Sequence, residues 1–221
     1  MFSLLNQPLL FLAYALALII AITIHEFAHA YVADRLGDPT PRLQGRLTLN
    51  PLAHLDLLGT IMLFLVHFGW GKPVQFDPFN LRNPRRDAAL ISLAGPISNL
   101  VLAAIIAIVL RIMPFSPFGN VASAPVFLQL LGFILENIVV LNVVLAIFNL
   151  IPIHPLDGFK IVGGILPPQQ ANEWNQLQRY GLIFLIFLIF PLLGGVAPIH
   201  YLIGPPINFL LGLFLPNPQL L

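Results

Sequence analysis

The stretch AITIHEFAHAYVADRLGD, Ala21 to Asp38, sets two histidines and a glutamate into an apolar run that otherwise reads as a membrane-crossing helix. Each ionisable group costs about 3 kcal/mol at the centre of such a helix, so each needs a compensating role. His25 and His29 are four residues apart, and at 3.6 residues per turn both imidazoles leave one face, one turn apart. That spacing suits two ligands of one tetrahedral zinc ion. Glu26 is displaced from His25 by about 100°, where it can reach a zinc-bound water without being a ligand. The plainer alternative is a polar cluster that joins helices by hydrogen bonds.

Composition sets the frame for that helix. Of 221 residues 58% are hydrophobic and 9% charged, and the mean hydropathy is +0.90, where soluble domains carry about 25% charged residues. The chain therefore reads as an all-α polytopic membrane protein, with no room for a sizeable soluble domain. A formal charge of +1 and the lack of a long basic run give no reason to expect a nucleic-acid partner. With no cysteine, any metal must be held by histidine and carboxylate. The start, MFSLLNQPL, has no basic region and leads into too long an apolar run for a signal peptide, so it reads as the entry to a retained first span.

That first helix is expected from about Pro8 to Leu36, stopped by Gly37 and Pro39. Arg35, Arg42 and Arg46 follow its end, which the positive-inside rule places on the cytoplasmic face. LDLLGTIMLFLVHFGWG offers about 14 apolar residues, short of the about 20 that cross a bilayer, and lies between two basic loops. Re-entry is favoured over crossing. A clear span runs from about Ala88 to Ile112 and leads to an uncharged outer loop, MPFSPFGNVASAP; VFLQLLGFILENIVVLNVVLAIFNLIPI returns. Apolar runs at about Leu177 to Leu193 and about Ile199 to Leu215 complete a C-terminal helical hairpin. The count is five full spans plus a re-entrant element, or six spans, in a single domain covering residues 1–221 with a catalytic core at about 8–160.

A catalytic zinc takes three protein ligands and keeps a position for water. Asp157, in NLIPIHPLDGFK, is the best candidate for the third, because it follows a span that ends on the side where His29 lies. Pro152 and Pro155 stop the helix, and Gly158 loosens the chain after the aspartate. An N-cap role is the equal alternative. His54 and Asp56, in NPLAHLD, are read first as loop-fixing residues and second as supports of substrate or metal. His154 is a further candidate neighbour of the site, His67 a buried imidazole and His200 an interfacial residue near the outer end of the hairpin. Glu136 and Asn137 read as interhelical hydrogen-bonding groups. Gly95 and Pro96 in AGPISN read as a close-packing and kinking device.

HEFAH on a membrane helix, SLAGPISN opening a later span and NLIPIHPLDG ending the next together resemble the site-2 protease family of intramembrane zinc metalloproteases, over roughly Ile24 to Lys160. NPLAHLDLLGT and GWGKPV are similar to its small prokaryotic branch, and no PDZ or CBS regulatory region is evident. The resemblance implies that His25, His29 and Asp157 bind one Zn2+, that Glu26 is the general base and that Asn149 faces the active site as an oxyanion donor. Residues alone do not choose Asn149 over Asn142. The resemblance also implies a short re-entrant β-loop that presents an edge to substrate, with Lys72, Pro73 and Val74 in it. For the edge to pair, Pro73 must turn its missing donor away from the partner strand. The expected activity is endoproteolysis of transmembrane segments near the cytoplasmic face, by a multi-pass protein of the cell membrane. A metal transporter and a non-catalytic membrane scaffold that keeps a relic site are the rival readings; a transporter has no need of a non-ligand carboxylate such as Glu26 beside an open zinc position, and tightly bound zinc with turnover of a helix peptide would exclude the scaffold. Substrate, regulation and oligomeric state are not legible.

Overall fold

A computed structural model of the chain describes residues 8–66, 70–112, 125–191 and 195–215. His67 and most of the uncharged outer loop lie outside the described residues. The first helix, α1 (Pro8–Arg35), agrees with the expected bounds. Its buried residues include a ridge at every fourth position: Ala13, Ala17, Ala21, His25, His29 and Ala33. Such a ridge seats in the groove of a neighbouring helix. Small side chains along it let backbones approach closely where lipid supplies no hydrophobic drive between helices. The two histidines thus continue an alanine seam and face protein.

The seam packs on α4 (Pro84–Ile112) and α5 (Val126–Asn149), which with α1 are the three helices long and apolar enough to cross a membrane among the described residues. Ala17 meets Ile138 and Leu141 of α5, with Leu102 and Ile106 of α4 beside them. Between α1 and α4 lie α2 (Thr40–Leu43) and α3 (Leu57–Val66). At 1.5 Å per residue, the 10 residues of α3 extend only about 15 Å, half the hydrocarbon thickness. Leu55 and Gly71 form an antiparallel bridge, so the segment between them returns to where it left. Gly59 sits where an added Cβ would lie 2.2 Å from the carbonyl oxygen of Trp70, a contact only glycine permits. A short α3 with paired flanks fits the re-entrant reading better than a crossing. Of the expected β-loop this single bridge is present, and no strand occurs among the described residues.

The C-terminal part departs from the expected hairpin. After α6 (Asp157–Ile165) and α7 (Pro168–Gln176), α8 (Gly181–Ile189) has 9 residues, too short to cross at about 13 Å, and the chain reaches Pro191 just beyond it. Leu185, Leu188 and Ile189 pack with Ala197 and Ile199 against Ile151 and Leu156, at the end of the bundle where α5 gives way to α6. Helix α9 (Pro198–Phe214) therefore starts at the Asp157 end, and His200 with it, rather than at the opposite end. It runs outward until Leu211 and Leu215 join Leu110 of α4 in one cluster. The Arg111 guanidinium donates to Leu213 O there. High hydropathy marked these runs as lipid-compatible without reporting their direction.

Candidate active site

Asp157 is the first residue of α6, after Leu156 in extended conformation, so it stands one place inside the helix rather than at its cap position. Its carboxylate instead turns back into the bundle. Oδ2 lies 3.1 Å from His25 Nε2 and 3.2 Å from His29 Nε2, and one donor atom from each of the three residues falls within 4.8 Å of the others. Two close approaches make this possible. A Cβ on Gly158 would sit 2.3 Å from Leu150 O and 2.4 Å from Ile151 O, so this glycine lets α6 start directly against the end of α5. Its role is space as much as freedom. A Cβ on Gly95 of α4 would sit 2.5 Å from His29 Nε2 and 2.6 Å from His25 Cε1, so the bare glycine face is the floor under both rings.

Hydrogen bonds fix which ring nitrogens carry protons. His29 Nδ1 is 2.7 Å from Ile91 O, a carbonyl that can only accept, so Nδ1 donates. His25 Nδ1 is 2.6 Å from Asn99 Oδ1. Asn99 Nδ2 donates to Ala21 O at 3.0 Å and to Asn142 Oδ1 at 2.6 Å, and Asn142 Nδ2 donates to Ile138 O at 2.7 Å. Carbonyls at both ends of this chain set its direction, so Asn99 Oδ1 faces His25 and accepts. In the neutral imidazoles both Nε2 lone pairs then face the Asp157 carboxylate. Three acceptors converging without a donor call for a cation between them. Tetrahedral zinc at ordinary bond lengths separates its ligand atoms by about 3.3 Å, close to the spacing present. Outer partners that hold the far nitrogen of a ligating histidine are the usual companions of such a site. Sequence reading missed Asn99, and weighed Asn142 only as an alternative to Asn149 rather than as a partner behind His25; two buried amides inside spans, where polar groups are costly, were the available signal.

Glu26 is outside the three-atom cluster. Its Oε2 accepts from Val74 N at 2.9 Å, and Arg46 Nη2 lies 4.0 Å from the same oxygen. The residues after the re-entrant turn therefore lie over α1: a Cβ on Gly71 would be 2.6 Å from Ile22 Cγ2. Lys72 N donates to His54 O at 2.7 Å. Lys72 and Val74, two residues apart, both turn their N–H groups inward, the alternation of an extended chain. The backbone groups of Pro73 and Gln75 then face the open side. The inner edge is already taken by His54 and Glu26, so a peptide pairing on the open side would meet Pro73, which offers no N–H.

The other candidate residues do not join the cluster. His54 is fully buried and its Nε2 donates to Thr48 O at 2.7 Å, a loop-fixing bond. Asp56 Oδ1 accepts from Gly59 N at 2.8 Å and caps the start of α3. The His154 ring lies edge-on to Phe159, with centroids 5.7 Å apart; burial and the nearby Lys160 charge pull its pKa below the ordinary imidazole value. Asn149 Nδ2 donates to Leu145 O on its own helix at 3.0 Å. The exposed Lys160 ammonium stands over the Phe76 ring at 4.8 Å, linking α6 to the segment that touches Glu26.

Residues 13–190 match the model of peptidase family M50. The chain belongs to this family. It is 40% identical over 190 residues to the protein named "Putative zinc metalloprotease YwhC" of Bacillus subtilis (strain 168), covering 85% of each chain. It is 34% identical over 188 residues to "Putative zinc metalloprotease Rip2" of Mycobacterium tuberculosis (strain ATCC 25618 / H37Rv), covering 80% of this chain and 66% of that one. To "Zinc metalloprotease MJ0392" of Methanocaldococcus jannaschii it is 23% identical over 164 residues, covering 74% of this chain and 37% of the relative. No solved structure gives a significant match. The M50 chain is therefore a membrane metalloprotease of the site-2 protease family that uses Zn2+, and the rival classes of transporter and inert scaffold fall away.

Proposed function

We propose that this M50 protease cleaves transmembrane segments of membrane proteins near the cytoplasmic face, with His25, His29 and Asp157 holding zinc and Glu26 as general base. The observation that carries the reading is the convergence of His25 Nε2, His29 Nε2 and Asp157 Oδ2, with the Glu26 carboxylate beside but outside it. When bound, zinc lowers the pKa of a coordinated water to about 7 and polarises the scissile carbonyl. Glu26 takes the proton from the attacking water and passes it to the departing nitrogen. Asn149 has a second amide N–H beyond the one given to Leu145 O, and that donor serves the carbonyl oxygen as charge develops.

A substrate helix must unwind before its carbonyls can be attacked, and hydrocarbon does not satisfy the freed groups. The open edge at Pro73 and Gln75 takes the extended peptide by strand addition. Pro73 contributes only its carbonyl there, while Gln75 offers both groups. Lys72, exposed beside this edge, engages the polar flank of the substrate. The cytoplasmic orientation follows from charge: every basic residue except Arg111 lies between positions 35 and 86 or between 160 and 179, on segments joined to the Asp157 end of the bundle.

Metal analysis of purified protein with two variants tests the assignment. Glu26→Gln keeps one zinc per chain and loses turnover of a transmembrane peptide. Asp157→Ala loses the metal. Full turnover by Glu26→Gln, or stoichiometric zinc in Asp157→Ala, overturns the respective role. Peptides whose cleavage region is Gly/Pro-free and strongly helical are cut more slowly than broken ones; equal rates would remove the unwinding step.

A further inference from the structure

Arg46 is the one lysine or arginine among the described residues that is buried. It follows Gly45, whose φ of +70° turns the chain inward after α2. Its guanidinium reaches three separate parts of the protein. Nη1 donates to Ala53 O, within the loop that carries Arg46 itself. Nη2 donates to Lys72 O, on the segment over α1. The same Nη2 stands 4.0 Å from the Glu26 carboxylate, the only ion-pair partner Arg46 has among the described residues. Lys72 thus spends both backbone groups inward, its N–H on His54 O and its carbonyl on Arg46. Two residues on, Val74 N–H is held by Glu26.

A guanidinium is a planar fork of fixed geometry, and here its two ends grip carbonyls 19 residues apart in sequence (Ala53 and Lys72). A lysine carries the charge to the same place, but its three donors share one rotatable nitrogen and do not match the spacing of both carbonyls as the fork does. From this geometry we infer that Arg46 is the positioning residue of the substrate edge: it locks the inner side of residues 72–74 against the 46–54 loop and the Glu26 carboxylate. The outer side, Pro73 and Gln75, is thereby held at a set distance from the base. The inference rests on the reading that substrate pairs along this edge. Arg46 touches neither metal nor the reacting bond, so its action is on substrate placement.

The consequence is a split between binding and chemistry. In detergent micelles, with a fluorogenic transmembrane peptide, Arg46→Lys raises KM about tenfold or more while kcat stays within about threefold, because a loosened edge weakens docking and leaves the ligand set alone. Zinc stoichiometry and thermal midpoint remain close to those of the unaltered protein. Binding of the same peptide to chelator-treated protein weakens by the same factor, a readout that needs no turnover. In Arg46→Ala, guanidinium ion at about 50 mM recovers most of the lost peptide affinity and methylammonium does not, since only the former reproduces the fork. Unchanged KM and unchanged peptide affinity in a folded Arg46→Lys protein overturn the proposal, as does equal rescue by the two cations. Should Arg46→Ala fail to fold, Arg46→Lys decides alone. A failure of the protease reading looks different: the unaltered protein then turns over no peptide, while the binding arm still reports on Arg46.

Discussion

Replacing Gly95 by alanine tests the site at its floor. The added methyl carbon would lie 2.5 Å from His29 Nε2 and 2.6 Å from both His29 Cε1 and His25 Cε1. Non-bonded carbon and nitrogen settle at about 3.5 Å, so the rings or the helix must retreat by about 1 Å. Neither ring can turn away freely, because His29 Nδ1 is held by Ile91 O on the same helix as Gly95 and His25 Nδ1 by Asn99. The displacement therefore falls on the Nε2 atoms and their 3.1 and 3.2 Å spacing to Asp157. A metal site tolerates about 0.2 Å of error in its bond lengths. Loss of an outer hydrogen bond alone lowers metal affinity about 10- to 100-fold, so direct displacement of two ligands should exceed that range. Overpacking itself costs about 1–3 kcal/mol of stability. Zinc affinity by chelator competition, alongside thermal unfolding in chelator, separates the two effects. Gly212→Ala in α9, where the new methyl meets no neighbouring element within 4 Å, is the control and leaves both unchanged or gains slightly in stability. Retention of the original zinc affinity in Gly95→Ala would show that the rings are not seated against α4 and would refute the reasoning.

Two further outcomes follow from the hydrogen-bond geometry. Asn99→Ala removes the acceptor of His25 Nδ1 and lowers zinc affinity about 10- to 100-fold, whereas Asn142→Ala, one step removed, mainly costs about 1–3 kcal/mol through an unpaired amide; chelator competition and unfolding measure each, and equal zinc affinities for the two variants would contradict the order. Asp38, buried beyond the end of α1, accepts from Thr40 N, Thr40 Oγ1, Asp77 N and Asn80 Nδ2. Burial pushes its pKa up, but these bonds outweigh it and hold the carboxyl below its ordinary value of 3.8. A lowered folded-state pKa means that the stabilisation is complete above that value and drains away as pH falls through it toward the folded-state pKa. The stability gap between the unaltered protein and Asp38→Asn should thus be constant from about pH 5 to 8 and narrow progressively below about pH 4; a gap as wide at about pH 3 as at about pH 6 would count against it.

The zinc helix was legible because its signal is local. Four-residue spacing, helical period and the cost of charge in lipid all act within one turn, and the alanine ridge that seats the histidines is visible in the same letters. Asp157 needed a non-local step, since nothing in its own neighbourhood separated ligand from helix cap; what brings its carboxylate beside the two imidazoles is the chain closing α6 against α5 at Gly158. The C-terminal runs were misplaced for a different reason. Hydropathy reports compatibility with lipid and is indifferent to direction, so a 9-residue α8 and an outward-running α9 read the same as a crossing hairpin. Arg46 shows the sharpest limit. Among loop arginines near a helix end, the positive-inside rule treats Arg35, Arg42 and Arg46 alike, as exposed charges that set orientation. Burial divides them: Arg42 pairs with Asp34 at the surface, while Arg46 is buried at 4% exposure. Burying a guanidinium is costly without partners; those of its two terminal nitrogens, Ala53 O, Lys72 O and Glu26, converge only once residues 71–74 lie over α1, and Nε makes no bond. A residue whose partners are supplied by the closure of a turn has no signature in its own spacing, which is why the approach of Arg46 to Glu26 emerges from the fold while the HEFAH pattern itself could be read from five letters.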